Sequence, residues 1–377
     1  MVDWEQVRLD FPVTGRMAYL NSAAAGPLSR QVLEAGAGFY RRMMEEGDAG
    51  WDEWLDQRES VRRRVAEFIN AEPEEIAFTI NTSSGMNLIV DALEGRGEVI
   101  SCELEFPVST LPWIHRGMEV HLLYARRGAL DAEDVSRAMT EQTRIISLSH
   151  VQYSNGFRAD LEEIGRRKEH HLLVVNASQS AGALEIDVKR MRIDALCATG
   201  HKWMLAGYGS GFVYLNREVL DQSLPRAMSW LSVEDPYAMR NDGYTLRRDA
   251  AARSELGCPQ FAGIFALGAS VDYMLHLGTR RIEERVLALN SYLTKRLTEA
   301  GWRVLSPLFD ESMRSAETLV AAEHPGRTVE HLSRRGLAVT EKPQGIRIAT
   351  HFFNHETEIE RLIEALEEMR RAGSAGP

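Results

Sequence analysis

A chain of 377 residues with 44% apolar and 26% charged residues has the composition of an ordinary soluble globular protein, and its length allows two domains. The formal charge of −11 argues against broad contact with nucleic acid or anionic lipid, since both recruit basic surfaces. Three cysteines, Cys102, Cys197 and Cys258, are too few and scattered for a disulfide framework and show no metal-ligand spacing. The first residues, MVDWEQVRLDF, lack the basic-then-apolar order of a secretory signal, and no run approaches the ~18 apolar residues of a membrane span. The expectation is a cytoplasmic protein with no metal, membrane or nucleic-acid partner.

Residues 17–30 read as a short strand and a small-residue loop, followed by amphipathic helical patterns over 28–46 and 51–70. A strand at 75–80, EIAFTI, runs into Asn81-Thr82-Ser83-Ser84-Gly85 and a helix from 86 to 93. Strand, hydroxyl-rich turn and helix together can cradle a phosphate, because unpaired N–H groups and the positive end of the helix dipole face the anion. The same residues also suit a plain helix cap. Further strands are expected at 97–102, 118–125, 144–150, 172–175, 193–198 and 209–215, with helices between them. This alternation predicts βαβ units and a mostly parallel sheet. Helices over 261–278 and 279–301 lead to a C-terminal region with strands at 302–305, 317–322, 337–340 and 345–350. A last helix covers 355–371, and the AGSAGP tail reads as unstructured.

The chemistry concentrates at 171–205, HLLVVNASQSAGALEIDVKRMRIDALCATGHKWML. Two apolar strands end there in polar residues, the place where open α/β sheets hold ligands. Lys202 follows the second strand behind Thr199, Gly200 and His201. A lysine desolvated in such a place loses its charge readily and becomes a Schiff-base nucleophile.

The runs T-G-H-K at 199–202 and N-A-S-Q-S-A-G at 176–182 resemble the class V aminotransferase family of pyridoxal-phosphate enzymes, which includes cysteine desulfurases, kynureninases and C–S lyases. One departure is plain: Asn176 stands where the family has aspartate. The resemblance implies the α/β fold type I of pyridoxal-phosphate-dependent transferases. A large domain (20–280) with a mostly parallel seven-stranded sheet would be joined by a smaller C-terminal α/β domain (281–377, with 1–19). It implies pyridoxal 5′-phosphate as cofactor and Lys202 as its covalent anchor. Thr82 and Ser83 would hold the phosphate, and Phe106 would lie over the ring where desulfurases carry histidine. Tyr153 and Gln179 would sit near the 3′-oxygen, Asn176 at the ring nitrogen, and Thr199 and His201 beside the lysine. Trp230 would touch the phosphate. Cys258 replaces a threonine that reaches the partner subunit's phosphate, in a family that works as homodimers.

The run G-I-R-I-A-T-H-F-F-N at 345–354 is similar to the family's G-x-R-x-S-x-H-x-x-N, whose arginine, here Arg347, pairs with the substrate carboxylate through a planar two-bond fork. The catalytic set expected is therefore Lys202, Arg347 and His201. The implied function is chemistry on an α-amino acid by transamination or Cβ elimination. Desulfurases use a cysteine in a C-terminal loop, and the last cysteine here is Cys258. An alternative is a protein that keeps the cofactor but has weak or lost catalysis, because Asn176 carries no charge for the ring nitrogen.

Overall fold

The computed structural model describes residues 2–93, 95, 97–247, 251–307 and 310–374. In chain order its strands are β1 (Ala18–Tyr19), β2 (Ile76–Thr79), β3 (Glu98–Cys102), β4 (Glu119–Leu123), β5 (Thr143–Ser149), β6 (Leu172–Asn176) and β7 (Ala195–Thr199). They continue with β8 (Gly211–Leu215), β9 (Glu317–Ala321), β10 (Leu337–Ala338), β11 (Thr340–Lys342) and β12 (Gly345–Ala349). Seven of them form one sheet in the order β2-β8-β7-β6-β5-β3-β4. The pairs among β3, β4, β5, β6 and β7 are parallel, and β8 runs antiparallel to both β7 and β2.

This sheet is covered on both faces, which explains why β6, LLVVN, and β7, ALCAT, are apolar without alternation. Two buried clusters flank it. One is built around Trp54, Phe212, Phe265 and Met274, the other around Met86, Trp113, Val174 and Val213. The helix Thr82–Leu93 packs against β7 and β8 at Gly85, where an added Cβ would lie 3.0 Å from Val213 and 3.1 Å from Cys197. That helix starts four residues earlier than the sequence suggests, so Thr82 to Gly85 form its first turn instead of a preceding loop.

A third cluster joins Ala18 and Leu20 to Leu289, Leu293, Val320, Ile346, Ile348 and Leu362. It is roofed by the helices Thr279–Glu299, Pro325–Arg334 and Glu356–Ser374. Here the three-stranded antiparallel sheet β11-β12-β9 lies beside the parallel pair of β1 with β10. The stretch 337–340, expected as one strand, is split between these two sheets. The strand expected at 302–305 is reduced to a single bridge, Val304 with Val320. The last helix extends three residues into the tail expected to be unstructured, and the rest of that tail lies outside the described residues. Among the described residues no single helix is long and apolar enough to cross a membrane.

Candidate active site

The carboxyl ends of β5, β6 and β7 lie side by side, with Ser149 registered against Asn176 and Asn176 against Cys197. Lys202 is presented by the turn that follows β7. That turn is pinned on several sides. Gly200 N–H donates to the Ser210 carbonyl at 2.8 Å and Gly26 N–H to the His201 carbonyl at 2.8 Å. Trp203, wholly buried, donates its indole N–H to Gln179 Oε1 at 2.8 Å, and its carbonyl lies 2.9 Å from His351 Nε2. Gly182, with φ +101°, lies so close to the Trp203 carbonyl that a side chain would collide with it. Leu205 closes the turn in the left-handed region at φ +53°, strain that the surrounding contacts hold in place.

The Lys202 side chain opens onto a cavity of about 250 Å³ lined by Asn81, Thr82, Ser83, Phe106, Tyr153 and Asn176, with Val108, Ser149, Val151, Ser178, Gln179 and His201. Burial is the first cause of a Lys202 pKa well below the ordinary lysine value. The Arg347 and Lys342 charges push the same way, against the opposing pull of Glu317. A larger share of Lys202 is thereby the neutral amine that attacks a carbonyl or takes a proton.

At one end of the cavity Asn81 caps the helix Thr82–Leu93. Its Oδ1 accepts from Ser84 N–H at 2.9 Å and its carbonyl from Gly85 N–H at 3.1 Å. No described residue accepts from the N–H groups of Thr82 or Ser83, so both remain available to an anion. At the other end Asn176 Oδ1 accepts from Ser178 N–H at 3.1 Å and Ser178 Oγ at 2.6 Å, while its Nδ2 donates to Ser109 Oγ at 3.1 Å. Gln179 is also fixed, with Nε2 donating to the Ala23 carbonyl at 3.1 Å, which leaves one N–H of that amide uncommitted. His201 Nδ1 lies 2.8 Å from Thr199 Oγ1, and its ring stacks on Tyr208 at 4.6 Å. Burial and the Lys202 charge lower its pKa to about 4, so it is neutral at physiological pH. Phe106 is half-exposed at the cavity wall, edge-on to Tyr153 at 5.2 Å.

Arg347 projects from the central strand of the β11-β12-β9 sheet and is almost wholly buried. Its Nη1 donates to the Tyr153 carbonyl at 3.2 Å and lies 3.3 Å from Glu317 Oε2. Glu317 and Lys342 escape sequence reading. Glu317 sits in an apolar run, and only the fold sets it against three cations. Burial raises its carboxyl pKa, and Arg347, Lys202 and Lys342 pull it back. Lys342 holds its ammonium 4.5 Å from the Tyr153 ring, and burial, reinforced by Arg347, lowers its pKa to about 8. Lys342 is therefore charged below about pH 8 and neutral above. Binding of an anionic substrate group beside Arg347 should weaken as pH rises through that value. Lys342→Met should flatten this step in a titration of amino-acid affinity, and a step unchanged in the variant would contradict the role.

Two expected residues stand elsewhere. Thr199 does not line the cavity and reaches it only by its contact with His201, and Trp230 does not line it either. Trp230 sits in a separate cleft with Val233 and Tyr244, its ring 5.9 Å from that of Tyr237. Cys258 is exposed and also absent from the cavity wall. The fold also brings Glu98, Glu119 and His121 together near the surface, with His121 Nε2 lying 3.2 Å from Glu98 Oε2 and 3.7 Å from Glu119 Oε1.

The family model for Aminotransferase class-V matches residues 18–362. The chain belongs to the class V aminotransferase family. It is similar, at 29% identity over 98% of both chains, to a probable cysteine desulfurase of Methanothermobacter thermautotrophicus. At 28% identity over 97% of this chain and 98% of the relative, it is similar to an isopenicillin N epimerase of Amycolatopsis lactamdurans. Among solved structures it resembles the apo cysteine desulfurase of Thermococcus onnurineus NA1, with a TM-score of 0.88 and 26% identity over 99% of each chain. Members of the class V aminotransferase family are pyridoxal-phosphate-dependent enzymes, and this chain is one of them.

The residues present fit that cofactor. The two unclaimed N–H groups at Thr82 and Ser83 suit its phosphate, Phe106 offers an aromatic face, and Asn176 and Gln179 each keep one amide hydrogen uncommitted. Lys202 supplies an amine whose charge is already disfavoured. The aspartate expected from the family pattern is absent, and position 176 presents an uncharged amide instead.

Proposed function

We propose that this class V enzyme acts on an α-amino acid by transamination or by elimination at Cβ, with Lys202 as covalent anchor and base. The observation that carries this reading is one half-buried lysine, its charge disfavoured, set between a helix start with two unclaimed N–H groups and a buried arginine. When bound, pyridoxal phosphate supplies the carbonyl that captures an amine and a ring that withdraws electrons from Cα.

The chain's own groups divide the remaining work. Thr82, Ser83 and the helix start hold the phosphate, and Phe106 packs against the ring. Arg347 fixes the substrate carboxylate by its fork, which orients Cα. Lys202 Nζ, neutral when released, takes the Cα proton and can return it. His201, uncharged and tied to Thr199, orients the lysine turn without adding a competing positive charge. Under this reading residues 20–280 form the cofactor domain, and 281–377 with 1–19 the domain that brings Arg347. Trp230 and the loop at Cys258 are assigned to the partner's site in a homodimer. Light scattering near twice 42.4 kDa would agree with that assignment, and a fully loaded monomer would remove it.

The desulfurase reaction named for several relatives is a poorer fit. It needs a thiol beside the substrate, and the short turn between β11 and β12 carries Pro343 and Gln344 instead. Cys102 and Cys197 are buried, with thiol pKa values pushed up by burial to about 11 and about 12. A second reading, a cofactor-binding protein with weak chemistry, is favoured by Asn176 alone. Absorbance spectra taken before and after a panel of amino acids distinguish the two. A catalyst shows spectral turnover with at least one of them and releases a keto acid, whereas a binder shows neither.

A further inference from the structure

The chain has five lysines, and three of them hold a carboxylate: Lys168 that of Asp194, Lys189 that of Glu72 at 2.7 Å and Lys295 that of Glu299 at 3.9 Å. Lys202 and Lys342 form no ion pair or hydrogen bond among the described residues. The chemistry accounts for Lys202 and leaves Lys342 unexplained. Its ammonium is half-buried, where a charge without an anion is disfavoured, and it lies over the Tyr153 ring at 4.5 Å. A ring face attracts the cation but leaves its three N–H donors without a lone pair to meet.

The strand pairing sets this ammonium beside Arg347. In the antiparallel pair of β11 with β12, Thr340 lies opposite Arg347 and Lys342 opposite Gly345. Side chains alternate along a strand, so Lys342 and Arg347 leave the same face of the sheet as diagonal neighbours. Both reach the cavity at one wall residue, Tyr153, the arginine at its carbonyl and the lysine at its ring. Two acids stand nearby. Glu341 leaves the opposite face and is exposed, while Glu317, opposite Ala349 on β9, shares the face and lies 3.3 Å from Arg347. Arg347 commits Nη1 to Tyr153 and Glu317, whereas its Nε is buried without a partner and no described acceptor takes Nη2. Nε and Nη2 form a guanidinium edge that receives both oxygens of one carboxylate. An α-carboxylate fills that edge and leaves the Lys342 ammonium open to a second anion carried by the same substrate.

We propose that Lys342 is a specificity-determining residue that pairs with a carboxylate on the substrate side chain, so that the enzyme favours α-amino acids with an acidic side chain over their neutral counterparts. The inference rests on the reading of Lys202 as covalent anchor and Arg347 as the fork for the α-carboxylate.

The experiment uses the full chain loaded with pyridoxal phosphate, titrated with aspartate, asparagine, glutamate, glutamine and alanine. The half-saturating concentration is read from the spectral change. In the parent, at least one acid should bind on the order of tenfold more tightly than its amide, the scale of one charge-assisted hydrogen bond. In Lys342→Met that ratio should fall to near one, and in Lys342→Arg, which keeps the charge, most of it should remain. Equal affinity of the parent for each acid and its amide would overturn the proposal. So would a loss in Lys342→Met shared equally by acid and amide, which would assign Lys342 to the α-carboxylate, or a response of the parent to alanine and to neither acid. A parent that responds to none of the five would strike the reading of the site itself, and the proposal with it.

Discussion

Lys202→Ala should lower turnover of the natural amino acid by about 10²–10⁴-fold, the usual contribution of a positioned proton-transfer group. The loss should fall on kcat, because the phosphate, ring and carboxylate contacts come from Thr82, Ser83, Phe106 and Arg347. Folding should survive the change. The lysine is desolvated, and its removal leaves Glu317 still paired with Arg347 at 3.3 Å. A small primary amine added to the medium should restore part of the rate by taking the vacated place of Nζ. Turnover within a few-fold of the parent would mean that another group moves the proton.

Arg347→Lys should weaken amino-acid binding by about 1.5–3 kcal/mol, the scale of a hydrogen bond to a charged group. That corresponds to a loss of roughly 10- to 150-fold in affinity. A lysine keeps the charge but cannot present two parallel N–H bonds to a carboxylate. It would also have to reach both Glu317 and the Tyr153 carbonyl from the same backbone position on β12. Glu317→Gln tests the same geometry from the opposite side. It removes the carboxylate that competes with substrate for Arg347, so amino-acid affinity should rise. Spectral titration of the loaded protein reads both variants. Unchanged affinity in Arg347→Lys would move the carboxylate site to another cation.

The parallel sheet was legible because its strands are short apolar runs closed by turn residues, and β6 and β7 needed no tertiary information to be recognised. Lys202, Asn176 and Gln179 were legible for a related reason, since strand ends in such a sheet point to one edge. Charges that matter only through distant contacts were not. Glu105 follows a strand in a stretch that reads as loop, yet the fold buries it against Ser149 and Gln152. Glu317 and Lys342 act on Lys202 only once the fold has brought β9 and β11 near it. Short helices such as Ala132–Ala138 and Pro325–Arg334 were missed because they carry only one or two fully buried apolar or small residues each, too few to set a periodic pattern. The stretch 337–340 failed for a different reason. A local apolar run cannot reveal that its first half pairs with Ala18–Tyr19 and its last residue begins another sheet.

The most direct test of the account is borohydride reduction of the protein purified with pyridoxal phosphate, followed by proteolysis and mass mapping of the labelled peptide. The visible absorbance should disappear on reduction, and a single phosphopyridoxyl group should map to Lys202. A label on Lys342, on Lys168 or spread over surface lysines would contradict the assignment of this cavity as the catalytic site.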